Sequence, residues 1–97
     1  MRVVAKKALR EFWEKFPDTE NALKTWFAEA ERAKWSTPAE IKARYPNASI
    51  LRGNRVVFNI CGNKYRLVVK INYKFGIVLI RFMGMHKEYD AIDAEAV

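Results

Sequence analysis

The chain has one cysteine, one histidine, and no carboxylate anywhere between Glu40 and Glu88. A lone Cys61 excludes an internal disulfide and suits a reducing cytoplasm. It reads as a strand residue without chemistry, since a reactive thiol needs a specific exposed setting. One cysteine and one histidine cannot make a zinc site, and neither a metal nor another cofactor is expected. No apolar run is long enough to cross a bilayer, which argues against a membrane role. The start, MRVVAKKALREFW, lacks the apolar stretch and small-residue cleavage site of a secretory signal, so a cytoplasmic protein is expected. No repeat, linker or low-complexity segment divides residues 1–97, which predicts one domain.

The missing carboxylates carry the most information. Residues 41–87 hold ten lysines and arginines together with the only histidine, His86. Residues 1–40 hold eight basic and seven acidic side chains, and residues 88–97 hold four acids and no base. The formal charge of +7 is therefore concentrated in one block. A solvated face normally mixes both signs, so a block of one sign sets up a field for an anion. A polyanion is expected to meet the C-terminal half.

With 51% hydrophobic and 13% aromatic residues the chain can build a core. After a short apolar start at Arg2-Val3-Val4, fit for an edge strand, Ala5, Ala8, Leu9, Phe12, Trp13 and Phe16 recur at helical spacing. Pro17 ends this helix, and Asp18 is placed to cap a second one. Its apolar stripe is Leu23, Trp26, Phe27 and Ala30, with Lys24, Glu29 and Glu31 in water. Thr37-Pro38-Ala39-Glu40 reads as a capping box opening a third helix, which stops by Tyr45-Pro46.

Residues 50–52, 55–61, 64–72 and 76–83 are rich in Val, Ile, Phe and Tyr and read as strands. Gly53-Asn54 and Gly62-Asn63 read as two-residue hairpin loops. Helices first and strands afterwards predict an α+β fold, with N-terminal helices packed on one face of an antiparallel β-meander. Side chains two apart share a face. Val56, Phe58, Ile60, Tyr65, Leu67, Val69, Ile71, Val78, Ile80 and Phe82 are then expected against the helices. The opposite, open face would carry Arg55, Asn59, Lys64, Arg66, Lys70 and Arg81.

Just beyond the last strand comes His86-Lys87-Glu88-Tyr89-Asp90. The plain structural reading is a C-terminal cap, with Tyr89 packed on the core and His86 merely exposed. The chemical reading is metal-free cleavage of RNA. There a base frees the 2′-hydroxyl for attack on phosphorus, donors hold the phosphorane charge, and an acid protonates the leaving oxygen. Histidine titrates in the range such transfers need, and arginine's fork of donors matches phosphate oxygens.

The two segments Asn59-Ile60-Cys61-Gly62-Asn63-Lys64-Tyr65-Arg66-Leu67-Val68 and His86-Lys87-Glu88-Tyr89-Asp90 resemble the HigB toxins of the RelE-like superfamily. The resemblance covers essentially the whole chain. It implies a small RelE-like α+β endoribonuclease, the toxin of a type II toxin–antitoxin module, that cuts mRNA in the ribosome A site and so inhibits translation. It also implies a HigA-type helix-turn-helix antitoxin, through which alone the toxin reaches operator DNA. By the same resemblance Arg66 is the phosphate-facing arginine, Tyr89 the C-terminal tyrosine, and His86 the arginine-or-histidine position. Lys87 and Asp90 belong to the same terminal motif. Some relatives set two histidines about the scissile phosphate, whereas this chain has one.

The leading reading gives catalysis to His86, Arg66 and Tyr89, with Asp90 as catalytic support. Lys64, Arg81, Lys87, Arg55, Asn59 and Lys70 would bind RNA. The second proton transfer falls to Tyr89, Asp90 or a lysine, or else charge stabilisation around Arg66 carries most of the rate. The alternative is a non-catalytic basic RNA-binding module. It is weakened because the strands offer no pair of exposed aromatics for stacking bases.

Overall fold

The structure is a computed structural model that describes residues 1–97. Its strands form one five-stranded sheet: β1 (Arg2–Val4), β2 (Ser49–Ile50), β3 (Arg55–Ile60), β4 (Tyr65–Asn72) and β5 (Ile77–Met85), in the order β1-β5-β4-β3-β2. Strands β2 to β5 pair antiparallel, each with the next. The start strand instead adds in parallel to β5, with Arg2 opposite Ile77 and Val4 opposite Leu79. The sheet is therefore mixed and mostly antiparallel. A parallel neighbour requires a long crossover, and here the helical half and the other strands supply it.

Between β1 and β2 lie helices α1 (Lys6–Lys15), α2 (Glu20–Arg32) and α3 (Pro38–Arg44). Thr37 caps α3 by accepting the Glu40 N–H at 3.4 Å, while the Glu40 carboxylate turns back to Ser36. Asp18 does not cap α2. It lies in a 3-10 turn, Pro17–Thr19, and α2 begins without a side-chain cap. Glu29, expected in water, is half-buried and pairs with Arg44.

The helices cover one face of the sheet because their apolar stripes meet the alternating apolar residues of the strands. Leu9, Leu23, Trp26, Ala30, Trp35 and Ile41 join Val56, Phe58, Ile60, Leu67, Val69, Ile71, Val78 and Ile80 in one buried cluster. Trp26 meets Phe58 edge-on at 5.4 Å, and Tyr65 sits against Phe12 and Phe16 at 5.4 and 5.6 Å. No helix is long and apolar enough to cross a membrane.

Three features depart from the alternation read off the sequence. Opposite Val68 stands Phe82, but opposite Val69 stands Ile80, so Arg81 is the extra residue of a β-bulge. The bulge shifts the parity of the last part of β5. Phe82 therefore leaves the helical face and joins the other side, and Met83 takes its place against the main core. Next, the hairpin loops are longer than two residues: the pairs Ile50–Val56 and Ile60–Tyr65 close them. Both contain consecutive positive φ values, at Gly53-Asn54 and at Cys61-Gly62, which is where glycine is needed.

The third departure concerns the open face. Its middle row, Val57 and Val68, is covered by a second small cluster built from Ala94 with Leu51, Phe82, Tyr89 and Val97. The C-terminal segment folds back across the sheet, and the face is divided rather than open. β5 also runs two residues further than expected, to Met85, before helix α4 (His86–Asp90) turns over it.

Candidate functional site

At one end of the divided face Arg66 of β4 stands between Asn59 of β3 and Gly84 of β5. A Cβ on Gly84 would lie 2.7 Å from the Phe82 ring and 3.4 Å from the Glu88 Cβ. Only glycine lets that ring and α4 close down beside Arg66. The Arg66 Nη1 donates to the carbonyls of Asn63 (2.9 Å) and Tyr65 (3.3 Å). Nε and Nη2 have no protein partner, so a fixed guanidinium keeps donors free for an anion.

His86 opens α4, and its N–H donates to the Lys64 carbonyl at 3.1 Å. This bond continues the β4–β5 ladder past Tyr65–Met85 and sets His86 opposite Lys64. Lys64 is in the turn just before β4, two residues from Arg66, so the His86 backbone stands about 7 Å from that of Arg66 along the strand direction. Its imidazole is 54% exposed, with Nε2 3.7 Å from Asp90 Oδ1. Glu88 closes the turn by accepting the Met85 N–H at 3.0 Å. Lys87 is exposed and has no carboxylate partner. The half-buried Tyr89 ring packs on the Val57–Val68 cluster, two residues from the exposed Lys87.

The remaining basic residues are spread more widely. Lys64 Nζ lies 2.9 Å from Asp18 Oδ2, so an acid from the helical layer already faces its charge. The hydrogen bond from Lys64 is the main reason the Asp18 carboxyl is held below its ordinary range, and the same bond raises Lys64. The Tyr65 hydroxyl donates to both Asp18 oxygens at 3.0 and 3.1 Å, and burial, followed by Asp18, raises that phenol. Arg55 is half-buried and committed to the tail: Nε and Nη2 donate to the Val97 main-chain oxygen at 3.2 and 2.7 Å. Lys70 is exposed four residues beyond Arg66, past the covered row. The bulge turns Arg81 toward α1, where it lines a hollow of about 320 Å³ with Glu11 and Lys15.

Arg66, His86, Lys87, Asp90, Asn59, Lys64 and the edge of Tyr89 thus gather at one end. Arg55, Lys70 and Arg81 lie elsewhere. Asp18, Tyr65 and Gly84 were not recognised as parts of this end. A glycine inside an apolar strand is itself a sign of close approach. Nothing local marks the pairing of Asp18 with Tyr65, which are 47 residues apart in sequence. No three of the His, Cys, Asp and Glu side chains gather into a group that would hold a metal ion.

A small α+β protein that sets an imidazole, a guanidinium with free donors and a lysine at one end of a cationic sheet is equipped to hold a phosphate ester and move protons on it. Residues 19–92 match the HigB toxin family, described as the RelE-like toxic component of a toxin–antitoxin system. The mRNA interferase toxin HigB of Escherichia coli K12 is 28% identical over 96 residues, 97% of this chain and 92% of that protein. The mRNA interferase HigB of Shigella flexneri shows the same 28% over the same shares. That of Escherichia coli O6:H1 is 26% identical over 94 residues, 95% of this chain and 91% of its own length. The chain belongs to the HigB toxin family.

Proposed function

We propose that this chain is the toxin of a type II toxin–antitoxin module and acts as an endoribonuclease that cuts mRNA on the ribosome without a metal. The 2′-hydroxyl of the substrate gives up its proton and attacks the adjacent phosphorus, and the P–O5′ bond breaks as the 5′-oxygen takes up a proton, leaving a 2′,3′-cyclic phosphate and a 5′-hydroxyl. Arg66 holds a non-bridging oxygen through Nε and Nη2. His86 carries one of the two proton transfers, and Lys64 and Lys87 add positive field. Asp90, close to the imidazole, is the first candidate for orienting it, with Tyr89 bordering the substrate.

The observation that carries this reading is an exposed imidazole at the end of the β4–β5 ladder, two register positions along from a guanidinium whose Nε and Nη2 have no protein partner. The relatives named mRNA interferase support the same substrate. A cognate HigA-type helix-turn-helix antitoxin would inhibit the toxin and take the pair to operator DNA, and residues 1–97 would act as one toxin domain in the cytoplasm.

The test is cleavage of a reporter mRNA by the purified chain on translating ribosomes. Products should end in a 2′,3′-cyclic phosphate, and a single 2′-deoxy substitution at the cut should abolish that cut. Cleavage at a 2′-deoxy position would overturn the mechanism.

A further inference from the structure

The far end of the divided face holds a second cationic cleft that the cleavage site does not use. It measures about 450 Å³ and is lined by Lys70, Lys74, Asn54, Asn72, Ile77 and Leu79, among others. Ile77 and Leu79 are half-buried and form an apolar floor, while Lys70 and Lys74 stand exposed at its sides. Neither lysine is engaged by a carboxylate: the ion pairs of the molecule involve other residues. The tail passes near one rim of the cleft, where the Glu95 main-chain oxygen would lie 3.6 Å from a Cβ on Gly53, next to Asn54.

Beside the cleft, the β4–β5 turn holds Phe75, which at 69% exposure is the most exposed of the large apolar side chains. Lys74 Nζ lies 5.5 Å from the centre of its ring. The turn is fixed: Asn72 Oδ1 accepts the Phe75 N–H at 3.0 Å, and Asn54 accepts the Ile71 N–H at 2.9 Å. An aromatic ring presented to water on a rigid turn, with the Lys74 ammonium beside it and Lys70 lining the neighbouring cleft, has no packing role in this chain. Uncharged partners would not call for two unpaired lysines, and a purely electrostatic contact would not call for the ring. Single-stranded nucleic acid uses both, because each nucleotide offers a phosphate and an unstacked base.

We propose that the β4–β5 turn and its cleft form a second RNA-binding site, where a single-stranded base stacks on Phe75 and phosphates lie against Lys70 and Lys74. Lys70 stands four residues from Arg66, about 13 Å along β4. The covered row of Val57 and Val68 lies between them. The site therefore grips RNA at a distance from the bond to be cut, and it takes from the proposed function only that the polyanion is RNA.

An oligoribonucleotide methylated at every 2′-oxygen separates this site from the chemistry, since it binds but cannot be cleaved. Fluorescence anisotropy with the full chain should show Phe75→Ala weakening the single-stranded probe about tenfold, with Phe75→Trp restoring it. Lys70→Ala combined with Lys74→Ala should lower the slope of log affinity against log salt by about 1.4. The exposed positions should leave the melting temperature unchanged. These losses would uphold the site even if Arg66 and His86 proved to have no part in cleavage. Unchanged affinity in Phe75→Ala, no binding by the unmodified chain, or an equal loss on duplex RNA or poly-glutamate would overturn it.

Discussion

The sheet has two faces, and they are covered by different means. On one side, three helices bury a cluster of 16 residues, with Leu67 and Val69 fully inaccessible. On the other, Val57 and Val68 are covered by a short C-terminal segment in which Ala94 is the only buried residue. The thin cover is what leaves room at both ends for cationic side chains. Arg66 and Leu67 are neighbours on β4 and point to these two worlds: one keeps donors free for an anion, the other fills the core. Burial is concentrated on the helical face, and the proposed chemistry on the tail face.

Substitutions on either side should break that division or sharpen it. The largest effect is expected on the tail face: His86→Ala should cut mRNA cleavage 10²–10⁴-fold, on the order of a lost proton-transfer group, with an unchanged melting temperature. Next comes Leu67→Ala, expected to cost about 2–5 kcal/mol in urea unfolding while the cleavage rate of the folded fraction holds. A Leu67→Ala protein that stayed stable but lost activity would erase the distinction between the faces. Arg55→Ala should cost about 1 kcal/mol, from its hydrogen bonds to Val97, and loosen the tail enough to raise amide exchange at Ala94.

The smallest effect concerns pH. Lys64 holds the Asp18 carboxyl below its ordinary value of 3.8, so the unfolded chain takes up this proton more readily. The stabilisation is fully present above about pH 4 and disappears as pH falls through the lower folded value. Asp18→Asn should flatten that part of the acid-unfolding curve, and an unaltered curve would mean that the link between the 3-10 turn and β4 is idle.

What was legible in the sequence follows the same division. Helical spacing at Leu23, Trp26 and Ala30 and alternation from Val56 to Ile71 identify the buried face, because burial imposes those periods on every element. The fold class follows from the order of elements, although the parallel pairing of Arg2–Val4 with β5 depends on a contact between the two ends of the chain. Phe82 went to the wrong side because one extra residue, Arg81, shifts parity, and nothing in Ile80-Arg81-Phe82 marks a bulge. The folded-back tail left no sustained period to read, since Ala94 and Val97 belong to a segment of only seven residues in which apolar side chains are broken by Asp93 and Glu95. The charge block pointed to the C-terminal half, but the tail then parts it into separate basins, with Arg55 diverted into structure.

The most direct test of the account is a double-mutant cycle between Arg66→Ala and His86→Ala, read as the single-turnover rate of mRNA cleavage on ribosomes. Two groups acting on one phosphate should each show a large loss, with the double variant losing far less than the product of the two. Full activity in either single variant, with the fold intact, would contradict a shared site at this end of the sheet.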